Sequence, residues 1–314
     1  MTEQDLKTWL NAAQEAARRG AAILEQWRQR FSVREKARFD LVTEADLGSQ
    51  KAIQEYLHYH FPEHDFLGEE DVSKSEIRNP RPEKERKHAT ENTESAEDDS
   101  SKISVISVAK SSSGSRAPTW IVDPLDGTTN YVHDCPMYCV SIGLMVEGEL
   151  VVGVVYDPVR QEMFRAAKGQ GAWLDQPSGP GASMTRATPS RLQTSQSDRL
   201  EESLLATGFP PDLRGQERAL DWWRHFSLRT RSLRRTGSTA LNMAYVAAGR
   251  FDAYWGFDNH AWDVAGAAVL IREAGGQLTT SDDQPFDPFR SDTLATNGPL
   301  HPIMLEAFRQ APNR

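Results

Sequence analysis

An α+β fold is the class this sequence predicts, and three stretches predict it. Near the N-terminus Leu6, Leu10, Ala13, Ala17, Leu24, Trp27 and Phe31 recur at helical spacing. In the middle, "SIGLMVEGELVVGVVYDP" (141–158) sets two apolar, β-rich runs on either side of Glu147 and Gly148, the pattern of a hairpin inside a sheet. Towards the end, "WDVAGAAVLIREAGG" (262–276) reads as a helix that stops at the pair Gly275 and Gly276.

Taken in order, the first element is an amphipathic helix docked by one face, a piece of scaffold. A second helix is expected near "TEADLGSQKAIQEYL" (43–57), where Thr43 and Asp46 form a T-x-x-D pattern close to a capping box. Between residues 71 and 118 the composition changes: "RPEKERKHATENTESAEDDSSK" is charged and polar without apolar periodicity, and "KSSSGSRAP" continues it. That stretch reads as a long mobile, low-complexity insertion, either a solvated loop or a regulatory segment. The run "WIV" (120–122) suits a buried strand, which would end at Asp123 and leave Asp126 in a turn imposed by Pro124 and Gly127. No internal repeat is visible. The expected division is an N-terminal α/β part over 1–186 and a C-terminal α/β part over 187–314 that completes the site.

Composition narrows the partners. With 314 residues the chain can bury a sizeable core, and its net charge of −9 and pI near 5.5 lack the basic footprint of a nucleic-acid binder. Small molecules or cations fit better. No segment approaches the roughly 18 apolar residues of a bilayer span, and no signal-like apolar run opens the chain, so a soluble cytoplasmic protein without a membrane partner is expected. The two cysteines, Cys135 and Cys139, are read as buried thiols; with His133 they supply too few ligands for zinc.

The chemistry lies in the carboxylates. "WIVDPLDGTTNYVH" (120–133) holds Asp123 and Asp126 three residues apart, which can point both into one cleft. An isolated D-P-x-D-G serves equally well as an Asx turn built on Asp126 and a cap built on Asp123. "DLVTEAD" (40–46), "GEED" (68–71) and "WDVAG" (262–266) add Asp46, Glu69, Glu70 and Asp263, each of which has its own structural use as a cap or surface charge. Together they offer what a hard divalent cation needs, several oxygen ligands at turns and helix starts. If "GTTN" opens a helix, the amides of Gly127, Thr128 and Thr129 would face an anion such as phosphate, and Gly127 would let it come close.

With these motifs in order, the chain resembles the inositol monophosphatase family, through "GEED", "WIVDPLDGTTNYVH" and "WDVAGAAVLIREAGG", with "DLVTEAD" and "RRTGSTALNMAYVAAGRFDAYW" between them. The resemblance covers nearly the whole chain apart from the insertion. It implies a layered α/β/α/β/α sandwich, Mg2+-dependent phosphomonoester hydrolysis, sensitivity to lithium and a homodimer. Carried over motif by motif, Glu69, Asp123 and the Leu125 carbonyl would hold one Mg2+. Asp123, Asp126 and Asp263 would hold a second, and a third would sit near Glu69. Glu69, Thr128 and Asp46 would activate the water, and the amides of Gly127 and Thr128, with Thr129 beside them, would grip the phosphate.

One departure touches the substrate. Inositol-preferring members commonly carry a glutamate seven residues before the aspartate of the WD motif, where Gly256 stands here; Asp258, two residues on, is the alternative acceptor. The substrate expected by resemblance is inositol 1-phosphate or a similar small polyol or sugar phosphate. Phosphatases of the same family for fructose 1,6-bisphosphate or histidinol phosphate are the enzyme alternatives, and a sugar-phosphate-binding protein is the non-enzyme one. Thr129 and Asn130 after the D-G-T argue against the branch that acts on adenosine bisphosphates.

Overall fold

The computed structural model describes residues 1–28, 30–37, 40–71, 117–177, 188–210, 213–214 and 217–310. The expected insertion, apart from Asp71, Ala117 and Pro118 at its ends, lies outside them.

Helix α1 (Glu3–Trp27) starts at Thr2, whose hydroxyl accepts from the Asp5 amide at 3.2 Å while the Asp5 carboxylate accepts from the Thr2 amide at 2.7 Å. This reciprocal cap satisfies donors that a helix start leaves over. The helix buries Leu6, Leu10, Ala13, Ala17 and Leu24 as the spacing predicts. It ends sooner than expected. Phe31 lies past it and packs on the same core from the chain that follows, its ring centroid 5.1 Å from that of Tyr131. Strands β1 (Val33–Ala37) and β2 (Asp40–Thr43) pair antiparallel and lead into α2 (Glu44–His60), which packs along α1.

A seven-stranded sheet follows in chain order: β3 (Asp65–Gly68), β4 (Thr119–Asp126), β5 (Cys139–Val146), β6 (Glu149–Asp157), β7 (Glu162–Ala167), β8 (Ala172–Gln176) and β9 (Thr188–Arg191). A short helix, α3 (Thr128–Val132), lies between β4 and β5. Among the described residues of this sheet only β3 and β4 run parallel. The predicted hairpin is β5 and β6, closed by Glu147 and Gly148 at φ 51° and 82°, the positive angles of a two-residue turn whose twist matches the strands.

The rest of the chain gives β10 (Leu204–Thr207), α4 (Glu217–Ser227), β11 (Ser232–Arg234), α5 (Thr239–Ala247), β12 (Ala253–Gly256), α6 (Ala261–Glu273), β13 (Gln277–Thr279), β14 (Thr293–Thr296) and α7 (His301–Arg309). Its five strands are ordered β11-β10-β12-β14-β13. Helices α1 and α2 pack on the seven-stranded sheet, and α6 packs on its strands β4 to β7 while also meeting β13; α5 packs beside α6 and against β10 and β12. On the outer face of the five-stranded sheet, Leu205, Ala253, Trp255 and Leu294 meet Trp222, Phe226, Met304 and Phe308 of α4 and α7. The order of layers is therefore α/β/α/β/α, as the resemblance implied.

The middle layer is seated by glycines. A Cβ on Gly153 of β6 would stand 2.0 Å from the Gly266 carbonyl oxygen of α6, and one on Gly143 of β5 would stand 2.8 Å from the Ala265 methyl. Backbone thus rests directly on backbone, three residues along the helix from Asp263. Gly153→Ala should destabilise the fold by about 1 to 3 kcal/mol, the usual cost of overpacking, read as a lower urea midpoint. An unchanged midpoint would show that α6 can lift without cost.

Candidate active site

The expected turn at Asp126 is instead part of a strand. β4 continues through Pro124 to Asp126, and its pairing with β5 slips there: Asp123 is opposite Ser141, whereas Asp126 is opposite Cys139. Three steps on β4 match two on β5, which is a β-bulge with one extra residue. In a regular strand, residues three apart face opposite sides of the sheet; the extra residue returns Asp126 to the side of Asp123. Proline suits the break because it has no amide hydrogen to give the ladder. The Pro124 carbonyl accepts instead from the Ser49 hydroxyl of α2, at 2.9 Å.

The structural roles foreseen for the two aspartates are exchanged. Asp123 makes the Asx turn, its Oδ1 accepting from the Leu125 amide at 3.0 Å. Asp126 makes the cap, but of the distant helix α5: its Oδ2 accepts from the Ser238 hydroxyl and the Ala240 amide, both at 2.6 Å, and its Oδ1 from the Thr239 amide at 3.2 Å. Asp263 stands in the first turn of α6, where its Oδ2 accepts from the His260 amide at 2.7 Å. Two helix starts therefore meet two of the carboxylates, the polarity that a helix N-terminus favours.

Asp46 is fully buried at the start of α2, and the predicted capping box is present. Its Oδ2 accepts from the Thr43 amide at 2.9 Å and the Thr43 hydroxyl at 2.5 Å, which leaves Oδ1 to face Thr128 Oγ1 at 3.2 Å. The same Thr128 hydroxyl lies 3.2 Å from the Leu125 carbonyl. Gly127 caps α3 with φ 102°, and a Cβ there would stand 2.8 Å from the Met137 carbonyl, so this turn excludes other residues on both counts. The amides that follow have no acceptor within so short a helix and are turned outwards from its start. Glu69 opens the one-turn 3₁₀ helix Glu69–Asp71 at the end of β3, held to α2 where the Glu70 amide donates to Gln50 Oε1 at 2.9 Å.

The carboxylates feel one another. Burial, followed by the charges of Glu69, Asp126 and Asp263, raises Asp123 well above the ordinary carboxylate range. Asp263 is raised well above it too, by enclosure and then by Asp126. Asp126 is pushed up only to about 6, because the Ser238, Ala240 and Thr239 donors offset its burial. Among the described residues no group of three or more His, Cys, Asp or Glu side chains is arranged so as to hold a metal ion. Asp123, Asp126 and Asp263 nonetheless share one field, to which Glu69 adds its charge, and a divalent cation there would offset their repulsion.

The remaining expected residues are spread around this cluster. Thr129 and Asp258 are exposed, and the Asp258 charge reaches Asp263. Cys139 is buried with its sulfur 3.7 Å from Asp126 Oδ2, but Cys135, expected to be buried, is exposed because it follows α3 at the surface. A side chain at Gly256 has no room: its Cβ would stand 2.5 Å from Tyr254 Oη and 2.8 Å from both amide atoms of Asn259. The sequence reading passed over Ser238, Thr239, Tyr254 and Asn259. "GSTA" (237–240), a serine before an apolar helix, is the N-cap signal that would have found Ser238.

Residues 5–313 match the profile of the inositol monophosphatase family. The inositol-1-monophosphatase of Synechocystis sp. is 34% identical over 98% of this chain and 91% of its own. The Pseudomonas aeruginosa protein named Nus factor SuhB is 33% identical over 87% of this chain and 86% of its own. The solved structure of inositol monophosphatase from Anabaena (Nostoc) sp. superposes with a TM-score of 0.74 at 32% identity, covering 98% of each chain. The chain belongs to the inositol monophosphatase family and is a phosphatase of that kind.

The raised carboxylates give a signed pH effect. A carboxylate whose folded pKa lies above its unfolded value of about 3.9 binds more protons when folded, so its contribution to stability falls as pH rises from about 4. His64, His225 and His301, all lowered by burial, act oppositely near pH 6. The carboxylate effect is therefore read as a difference. With chelator present, Asp123→Asn should gain melting temperature relative to wild type as pH rises from 4.5 towards 7.5 (roughly the span above the unfolded value), and added Mg2+ should close the gap. A gap independent of pH would contradict the raised Asp123.

Proposed function

We propose, from this family membership, that the chain is an Mg2+-dependent phosphomonoesterase acting on inositol 1-phosphate or a similarly small polyol or sugar phosphate. The observation that carries the reading is that the bulged β4 and the starts of α5 and α6 hold Asp123, Asp126 and Asp263 together, within the field of Glu69 and beside the Gly127 start of α3. Glu69, Asp123 and the Leu125 carbonyl would hold one ion and Asp123, Asp126 and Asp263 another, with a third near Glu69. Bound there, Mg2+ supplies a water of lowered pKa and positive charge for the phosphoryl oxygens.

The chain's own groups do the rest. Asp46 is committed as an acceptor by its two bonds from Thr43, so it draws the Thr128 proton to itself. Thr128 Oγ1 would then have its lone pairs free to accept from the attacking water, the Glu69 carboxylate would take the water's other proton, and the alkoxide released as the P–O bond breaks would be protonated by a solvent water. The amides of Gly127 and Thr128, with Thr129 beside them, hold the phosphoryl oxygens. On the leaving-group side Gly256 brings no acceptor, so little there rewards one alcohol over another. Lithium sensitivity, a homodimer and a cytoplasmic location belong to the same reading; among the described residues no helix is long and apolar enough to cross a membrane.

Phosphate release from a panel of monoesters with Mg2+, and its loss with chelator, tests the reaction; no release from any ester would overturn it. Asp123→Asn should lower kcat on the order of a hundredfold or more while the chain stays folded, because both proposed ions lose a charged ligand. Near-normal turnover would remove Asp123 from the metal site. Selectivity should be weak, with kcat/KM for inositol 1-phosphate and glycerol 2-phosphate within about tenfold, since Gly256 offers no charged hydrogen bond to separate them.

A further inference from the structure

The two helix starts that receive Asp126 and Asp263 are joined by a chain of hydrogen bonds through one buried tyrosine. Tyr254 lies in β12, opposite Ala206 of β10 and Ala295 of β14. Small neighbours on both sides leave space above the sheet, and the phenol occupies it without any exposure. Its Oη is 3.1 Å from Thr239 Oγ1 and donates to Asn259 Oδ1 at 3.0 Å. Thr239 is the first residue of α5, and its amide donates to Asp126. Asn259 directly precedes His260, whose amide donates to Asp263. The path runs Asp126, Thr239, Tyr254, Asn259, His260, Asp263, by hydrogen bonds except within Thr239 and across the Asn259–His260 peptide, where it is covalent.

This path is rigid for identifiable reasons. Thr239 is held by its place in α5, and Asn259 is anchored to a neighbouring loop where its amide donates to the Ser291 carbonyl at 3.1 Å. The Asn259 side chain is packed over Gly256, and its Nδ2 has no partner. A buried donor left without a partner costs free energy, so this amide is oriented by its Oδ1 bond to Tyr254 and by packing. Removing the phenol hydroxyl would leave both Asn259 and Thr239 short of a partner and release the loop that carries His260.

We propose that Tyr254 is a positioning residue, a brace that fixes the spacing of Asp126 and Asp263 and so sets how tightly the site holds Mg2+. The inference rests on the metal assignment made under the proposed function, and the two fail differently.

The test is calorimetric titration of the chelator-treated full chain with Mg2+ alone, for wild type and Tyr254→Phe, which keeps the ring and deletes the hydroxyl. The dissociation constant should rise about five- to tenfold, the effect of one buried hydrogen bond, with melting temperature kept within a few degrees. The Mg2+ concentration for half-maximal phosphate release should shift by the same factor. Asn259→Ala should weaken Mg2+ in the same direction, and the double variant should do so by less than the product of the two, since both cut one path. Unchanged Mg2+ affinity in both variants, or a fall in melting temperature with affinity intact, overturns the brace while leaving the metal site standing. Absence of any Mg2+ binding by the wild type overturns both.

Discussion

Everything at the site depends on one irregularity in β4. A strand repeats every two residues, so Asp123 and Asp126 on a regular β4 would face opposite layers, one towards α1 and α2 and the other towards α5 and α6. The single extra residue between them turns both to the same side. Pro124 makes that residue cheap to insert, because the ladder bond lost at the bulge is one a proline could never have made, and Ser49 recovers the idle carbonyl. Without the bulge, Asp126 could not reach the start of α5 or share a field with Asp123 and Asp263.

Placing the carboxylates together opposes folding, and the surrounding structure shows how the opposition is met. Asp126 is the best compensated of the three, with a hydroxyl and two amides at the head of α5, and it is raised less than Asp123 or Asp263. Asp123 has a single amide and is raised further. The difference follows from counting donors. In the proposed metal site, ion binding would take up what the protein leaves uncompensated, so affinity for a divalent cation and instability without it would be two sides of one arrangement. The glycine seat of α6 belongs to the same logic, since Asp263 is brought near the others only because Gly153 and Gly266 let helix and sheet touch backbone to backbone.

Local signals in the sequence carried far. Thr43 and Asp46 announced the start of α2, Glu147 and Gly148 the hairpin, and the apolar spacing from Leu6 to Leu24 the buried face of α1; each is settled within a few residues, by capping or by turn geometry. The acidic motifs likewise marked residues that the fold gathers. What stayed hidden depended on distant partners. Asp126 reads locally as a turn residue, and only its pairing with Cys139 and its bonds to Ser238 and Ala240, over a hundred residues on, make it a strand residue and a cap. Phe31 fits the helical period of α1 yet lies past its end, where Arg28 leaves the helical conformation, and its ring packs on Tyr131 instead. Tyr254 and Asn259 form no motif, as each looks like an ordinary core or loop residue until Thr239 is beside them.

The glycine at 256 then acquires a positive cause. Read from the sequence it is an absence, a position without the acceptor that a polyol would find. In the structure it is a requirement, because Tyr254 Oη and the Asn259 amide fill the volume into which any side chain would grow. A carboxylate at 256 and the bond between Tyr254 and Asn259 exclude each other unless the phenol or the amide moves, and moving either breaks the path between Asp126 and Asp263. On the proposed reading, selectivity for the leaving group would thereby be tied to the geometry of the carboxylates. A Gly256→Glu change made to add a sugar contact would first loosen the carboxylate cluster, so any gain in selectivity would come with weaker ion binding.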